Sequence, residues 1–131
     1  MALALLAASA CSHPAPPGPQ VRVALRDFQI GTSAATVRAG TVTFDVSSEG
    51  PTTHEFVVVR TELAPQSLPL SSDGITVNED SLQLTHVGEV SDVDIDTSDT
   101  LTLHLAPGHY VLFCNLEGHY LAGMHTSLNA T

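Results

Sequence analysis

Near the C-terminal end of the chain, two sulfur side chains flank an imidazole at equal intervals. Cys114, His119 and Met124 stand in the pattern C-x4-H-x4-M. Both sulfur residue types are scarce. The 131 residues hold two cysteines and two methionines, and Cys11 and Met1 lie in an N-terminal segment with a different role. Cys114 and Met124 are therefore the only thiol and thioether of the main body, and His119 sits midway between them.

Thiolate and thioether are soft donors that suit Cu(I), while imidazole serves Cu(I) and Cu(II) alike. One thiolate, two imidazoles and a weak axial thioether form the ligand set of a blue (type 1) copper site. A trigonal plane with a distant axial sulfur suits neither oxidation state fully, so the charge can change with little nuclear rearrangement. The set needs a second imidazole. His54 is the best placed, because it follows the Gly50-Pro51 turn and opens the apolar run HEFVVVR at residues 54–60. The competing reading is an inert buried cysteine, a core methionine and two surface histidines, which leaves the regular spacing to coincidence. The other histidines are expected elsewhere. His125 should point to the opposite face of a strand from Met124, His109 should face outward, and His13, His86 and His104 are expected on the surface.

The elements around these residues read as strands, because the apolar period is two rather than 3.6. Val21, Val23 and Leu25 alternate with polar or small residues, and the change of parity at Phe28 and Ile30 predicts a bulge or break near Asp27. Val42, Phe44 and Val46 alternate likewise before the Ser48–Pro51 turn. HEFVVVR is apolar on both faces, as a central strand would be. Leu101, Leu103 and Leu105 lead through Pro107-Gly108 into HYVLFC, and residues 123–130 can form a last strand. Between them, residues 61–74 predict a loop with a short helical turn. Short strands are expected at 75–77 and 82–84, and a solvent-facing acidic segment at 91–100. Many short strands separated by turns predict an all-β Greek-key sandwich of about seven or eight strands.

On these residues the chain resembles the cupredoxin family, and its sulfocyanin-like small bacterial and archaeal members in particular. The match lies in His54-Glu55-Phe56-Val57-Val58 and in the stretch from Pro107 to Met124, PGHYVLFCNLEGHYLAGM. The resemblance implies a copper-binding domain over residues 21–131, with His54, Cys114, His119 and Met124 as metal ligands. It also implies one edge of His119 at the surface, beside a small apolar docking patch of Leu116, Tyr120 and Leu121. Glu55 departs from the family, where a small polar residue or Asn after the first histidine often ties the ligand loops together.

Composition narrows the function further. Fourteen acidic residues stand against four arginines and no lysine, for a formal net charge of -10. Such a surface repels a phosphate backbone, which argues against nucleic acid as a partner, and steers a basic redox protein by long-range attraction. The first ten residues, MALALLAASA, are too short to span a membrane and read as the end of a signal peptide. The junction at Cys11 resembles a lipoprotein processing site, which would leave a lipid on Cys11 and a Pro-rich spacer over residues 12–20. The alternative is a plain cleaved signal. The expected protein is thus an exported monomer, periplasmic or held at the outer face of the cell membrane, cycling Cu(I)/Cu(II) between redox partners. A copper carrier that delivers or buffers the metal would use the same ligands. An enzyme is disfavoured, since no His-x-His pair offers further copper sites and only one cysteine is available for the ligand loop.

Overall fold

The period-two pattern becomes nine strands in the computed structural model, which describes residues 17–131. The leader and Cys11 lie outside the described residues. One sheet has the order β2-β1-β4-β7, built from β1 (Gln20–Arg26), β2 (Gln29–Thr32), β4 (Gly40–Ser48) and β7 (Ser98–Leu105). The other has the order β3-β9-β8-β5-β6, from β3 (Thr36–Val37), β5 (His54–Arg60), β6 (Thr85–Val93), β8 (Gly108–Phe113) and β9 (His125–Ala130). Both sheets are mixed, because β1 runs parallel to β4 and β3 parallel to β9. The expected Greek-key β-sandwich is present, with the short strands β2 and β3 raising the strand number. The parity change near Asp27 is a chain reversal between β1 and β2.

The main core lies between the sheets. Val21, Val23, Leu25, Val42, Phe44 and Val46 from one sheet meet Phe56, Val58, Tyr110, Leu112 and Leu128 from the other. These are the alternate positions seen in the sequence, and burying each aliphatic side chain is worth about 1.5–3 kcal/mol. The Tyr110 hydroxyl reaches back across the Pro107-Gly108 turn and donates to the Ala106 carbonyl at 2.7 Å, fixing the entry into β8.

A second apolar cluster explains why HEFVVVR is apolar on both faces. Val57, Val59, Val111 and Phe113 point away from the main core, and Leu68, Val77 and Leu84 cover them. Those three belong to the excursion 61–84, which straps the outer face of the five-stranded sheet. The expected helical turn is present at Pro65–Ser67. The short strands expected at 75–77 and 82–84 are absent. Only an isolated bridge joins Leu70 to Val77, and Leu82 is fully exposed. The segment packs through scattered single residues, so no strand period develops. Within the acidic segment 91–100 most side chains are exposed, but Val93 is buried, and the flanks pair as β6 and β7.

Candidate metal centre

All four sequence-selected residues come to one pole of the sandwich. His54 is the first residue of β5, fully buried. Cys114 follows directly on β8 and is also fully buried. The loop from Cys114 to Met124 then folds back on itself. The Cys114 N–H donates to the Met124 carbonyl at 3.1 Å, closing the loop at its base. Within it, the Met124 N–H donates to the His119 carbonyl, and the His119 N–H to that of Leu116. Gly118 and Gly123 adopt φ of 79° and 110°, which L side chains rarely tolerate, and these two positions allow the tight return.

This fold brings donor atoms of His54, Cys114 and His119 within 4.8 Å of one another. Cys114 Sγ lies 3.5 Å from His119 Nδ1, and the two imidazole centroids are 5.2 Å apart. Metal–sulfur and metal–nitrogen bonds of roughly 2.0–2.3 Å place two donors on one ion about 3.5–3.8 Å apart, so the spacing fits a single first-row ion. The Met124 side chain is fully buried in the same core cluster as Cys114. The site has the mark of a preformed cage: neither ring nitrogen of the buried His54 makes a well-directed hydrogen bond, although the Asp27 carboxylate and the Gly50 carbonyl lie close to the ring. An unpaired buried polar atom costs roughly 1–3 kcal/mol, which an ion bound to it would offset.

Two groups tune the sulfur. The last pair of the β5–β8 ladder is Val57 with Phe113, and beyond it Glu55 meets no strand carbonyl. Its N–H donates instead to Cys114 Sγ at 3.3 Å. Burial pushes the Cys114 thiol above its ordinary value, opposed by backbone N–H groups of Glu55 and Leu116. Burial also lowers the pKa of His54, against the pull of Asp27, which keeps it neutral and ready to ligate. The Glu55 carboxyl is itself pushed up to about 7, first by burial and then by Glu79, Glu89 and Asp92.

The departure at Glu55 has a structural answer. Here the tie to the ligand loop is a backbone N–H from that position, which needs no particular side chain. A further side-chain tie comes from Asn115, next to Cys114. Its Oδ1 accepts from the Val77 N–H at 2.7 Å, and its Nδ2 donates to the Val77 carbonyl and to Glu79 Oε1. The Gly118 N–H donates to the Ile75 carbonyl at 3.2 Å. The Tyr120 hydroxyl accepts from the Leu68 N–H at 2.9 Å and donates to the Pro65 carbonyl at 2.7 Å. The strap therefore grips the ligand loop at three points. Tyr120, expected in a surface patch, is instead buried against Phe113. Phe28, 42% exposed, sets its ring edge-on to His119 at 5.2 Å, and Leu121 of the expected patch is exposed. The parity break at Phe28 was the available signal.

The remaining histidines divide. His86 and His104 are exposed as expected. His86 pairs with Glu79 and Glu89, a second grouping of donor atoms on the surface. His109 does not face outward. Its ring bridges the Thr61 carbonyl at 2.7 Å and Ser127 Oγ at 3.1 Å, because the strap and β9 close over that side of β8. His125 is half-buried against Tyr120, and burial lowers its pKa.

The sulfocyanin (SoxE) domain model matches residues 29–131. This chain belongs to the sulfocyanin family. Sulfocyanins are cupredoxins, a family that binds one type 1 copper, and in this sulfocyanin His54, Cys114, His119 and Met124 are grouped as a site. No curated protein matches the sequence. Solved structures of similar fold include auracyanin B, at a TM-score of 0.64 and 22% identity over 91% of this chain and 93% of that one. Auracyanin A from Chloroflexus aurantiacus, described as a "blue" copper protein, aligns at 0.60 and 16% identity over 87% and 100% of the two chains. Rusticyanin from Thiobacillus ferrooxidans aligns at 0.59 and 16% identity over 88% and 79%. At these identities the solved structures attest the fold.

Proposed function

We propose that this sulfocyanin is an exported electron carrier whose single copper is held by His54, Cys114, His119 and Met124. The observation that carries the reading is the convergence of one buried thiol and two imidazoles within 4.8 Å, on a loop closed by Met124. Bound copper supplies the electron by alternating between Cu(I) and Cu(II). The chain's own residues do the rest. His54, Cys114 and Met124 sit in the core and exclude water. The Glu55 N–H stabilises the sulfur in its ionised form. The strap restrains the ligand loop, which keeps nuclear movement small when the charge changes. His119, partly exposed, offers an exit for the electron against the exposed Phe28 ring. A redox partner would dock there briefly over a small interface, steered by the acidic surface if it is basic. No enzymatic step is assigned to the site.

Export through the N-terminal leader, with Cys11 as a lipid anchor, completes the proposal. Among the described residues no helix is long and apolar enough to cross a membrane. A copper-delivery role would call for ligands that open readily. The burial of three ligands and the bracing of their loop favour electron transfer. Stopped-flow measurement decides between the two: electrons should pass to a soluble acceptor far faster than Cu(I) passes to a chelator. Copper loss outpacing electron loss would overturn the assignment.

A further inference from the structure

We propose that Asp27 is a positioning residue for His54, an inference that deepens the copper reading and rests on it. Asp27 lies in the reversal between β1 and β2, on the opposite sheet from His54. Its Oδ1 is 3.0 Å from His54 Nε2, and its side chain is only 20% exposed. Two further contacts hold Asp27, one at its carboxylate and one at its main chain. The Thr52 hydroxyl donates to the same Oδ1 at 2.7 Å, and the Asp27 N–H donates to the Gly50 carbonyl at 3.2 Å. The turn that ends in His54 is thus tied to the turn that carries Asp27.

A neutral imidazole has one N–H and one lone pair, and the partner of one nitrogen decides which carries which. A carboxylate acceptor beside Nε2 holds the proton there and leaves the lone pair on Nδ1. His54 Nδ1 is buried and has no hydrogen-bond partner in the protein. The Nε2–Oδ1 pair is close without a well-directed N–H···O bond, and the Gly50 carbonyl is a second polar neighbour of the ring. Metal-ligating histidines are commonly held in this way by an outer carboxylate, whose loss costs about 10–100-fold in metal affinity. Asp27 also places a negative charge one imidazole away from the ion, which favours the more positive oxidation state. The neighbouring Phe28 packs on His119, so the single β1–β2 reversal touches both imidazoles, one through charge and one through an aromatic edge.

The test begins with the metal-free wild-type protein, where nitrogen-15 NMR reads the tautomer of His54 without any copper. The Nε2–H form is expected, and the Nδ1–H form would overturn the proposal. In Asp27→Ala, Cu(II) affinity measured by chelator competition should fall about 10–100-fold. In Asp27→Asn, which keeps an acceptor oxygen and removes the charge, affinity should largely return while the reduction potential stays above wild type. Thr52→Val loosens the turn without removing the carboxylate and should leave the potential near wild type. Unchanged affinity in Asp27→Ala, or a Thr52→Val variant with the same rise in potential, would refute the role. A wild-type protein that fails to form the blue site would instead refute the copper reading, independently of the tautomer.

Discussion

Replacing Tyr120 by Phe tests whether the strap braces the ligand loop. The Tyr120 hydroxyl accepts from Leu68, just past the helical turn of the strap, and donates to Pro65, the first residue of that turn. Phenylalanine keeps the ring contacts, 6.0 Å to Phe113 and 5.1 Å to His125 between centroids, so no cavity of consequence forms. The loss is confined to two hydrogen bonds. The Leu68 N–H lies in a buried setting and would be left without an acceptor, which costs roughly 1–3 kcal/mol. Pro65 is only half-buried, so water can partly replace the bond at its carbonyl. For a domain of this size, each kcal/mol lowers the melting temperature by about 4 °C. Circular dichroism of the metal-free variant should therefore show a fall of about 4–12 °C. Amide exchange should quicken at residues 63–79 and in the loop 115–123, while β1 and β4 stay protected. A melting temperature within about 1 °C of wild type, with unchanged exchange in the ligand loop, would refute the bracing argument.

Further outcomes follow from the charges and surfaces around the site. Because burial keeps the Cys114 thiol protonated and His54 neutral, divalent metal uptake should release about one proton near pH 7. Apparent affinity should then rise about tenfold per pH unit there, and calorimetry in buffers of different ionisation heat will show it. Glu55 binds its proton more tightly in the folded state, with its pKa raised from 4.5 to about 7. Stability of the metal-free protein should fall as pH rises across that window and level off above it. Glu55→Gln should stabilise by about 1 kcal/mol at pH 8, a figure discounted because the side chain is half-exposed, and by almost nothing near pH 4. Equal effects at both pH values would contradict this. Phe28→Asp should slow electron exchange with a protein partner more than with a small inorganic oxidant, as read by stopped-flow.

The sequence carried the site well where the information was local. Cys114, His119 and Met124 share one loop, so their spacing alone showed that the three would come together, and His54 was marked by opening a doubly apolar strand. Strand alternation in 21–25, 42–46 and 101–105 was equally legible, because a half-buried strand must alternate. The strap was not legible. Leu68, Val77 and Leu84 cover the outer sheet from irregular positions, and neither period applies to them. The same cause hid the true place of Tyr120, whose hydroxyl is claimed by Leu68 and Pro65 some fifty residues earlier. Asp27 and Phe28 escaped notice as neighbours of the two imidazoles because their approach depends on how the two sheets stack. His109 looked outward by alternation, yet the strap and β9 enclose it.

The most direct measurement is the visible and EPR spectrum of the copper-loaded, oxidised protein beside that of Cys114→Ser. The wild type should be intensely coloured through thiolate-to-copper charge transfer, with the narrow copper hyperfine splitting of a type 1 site, and the variant colourless. A colourless wild type, or colour that survives the loss of Cys114, would contradict the assignment of these ligands to one copper.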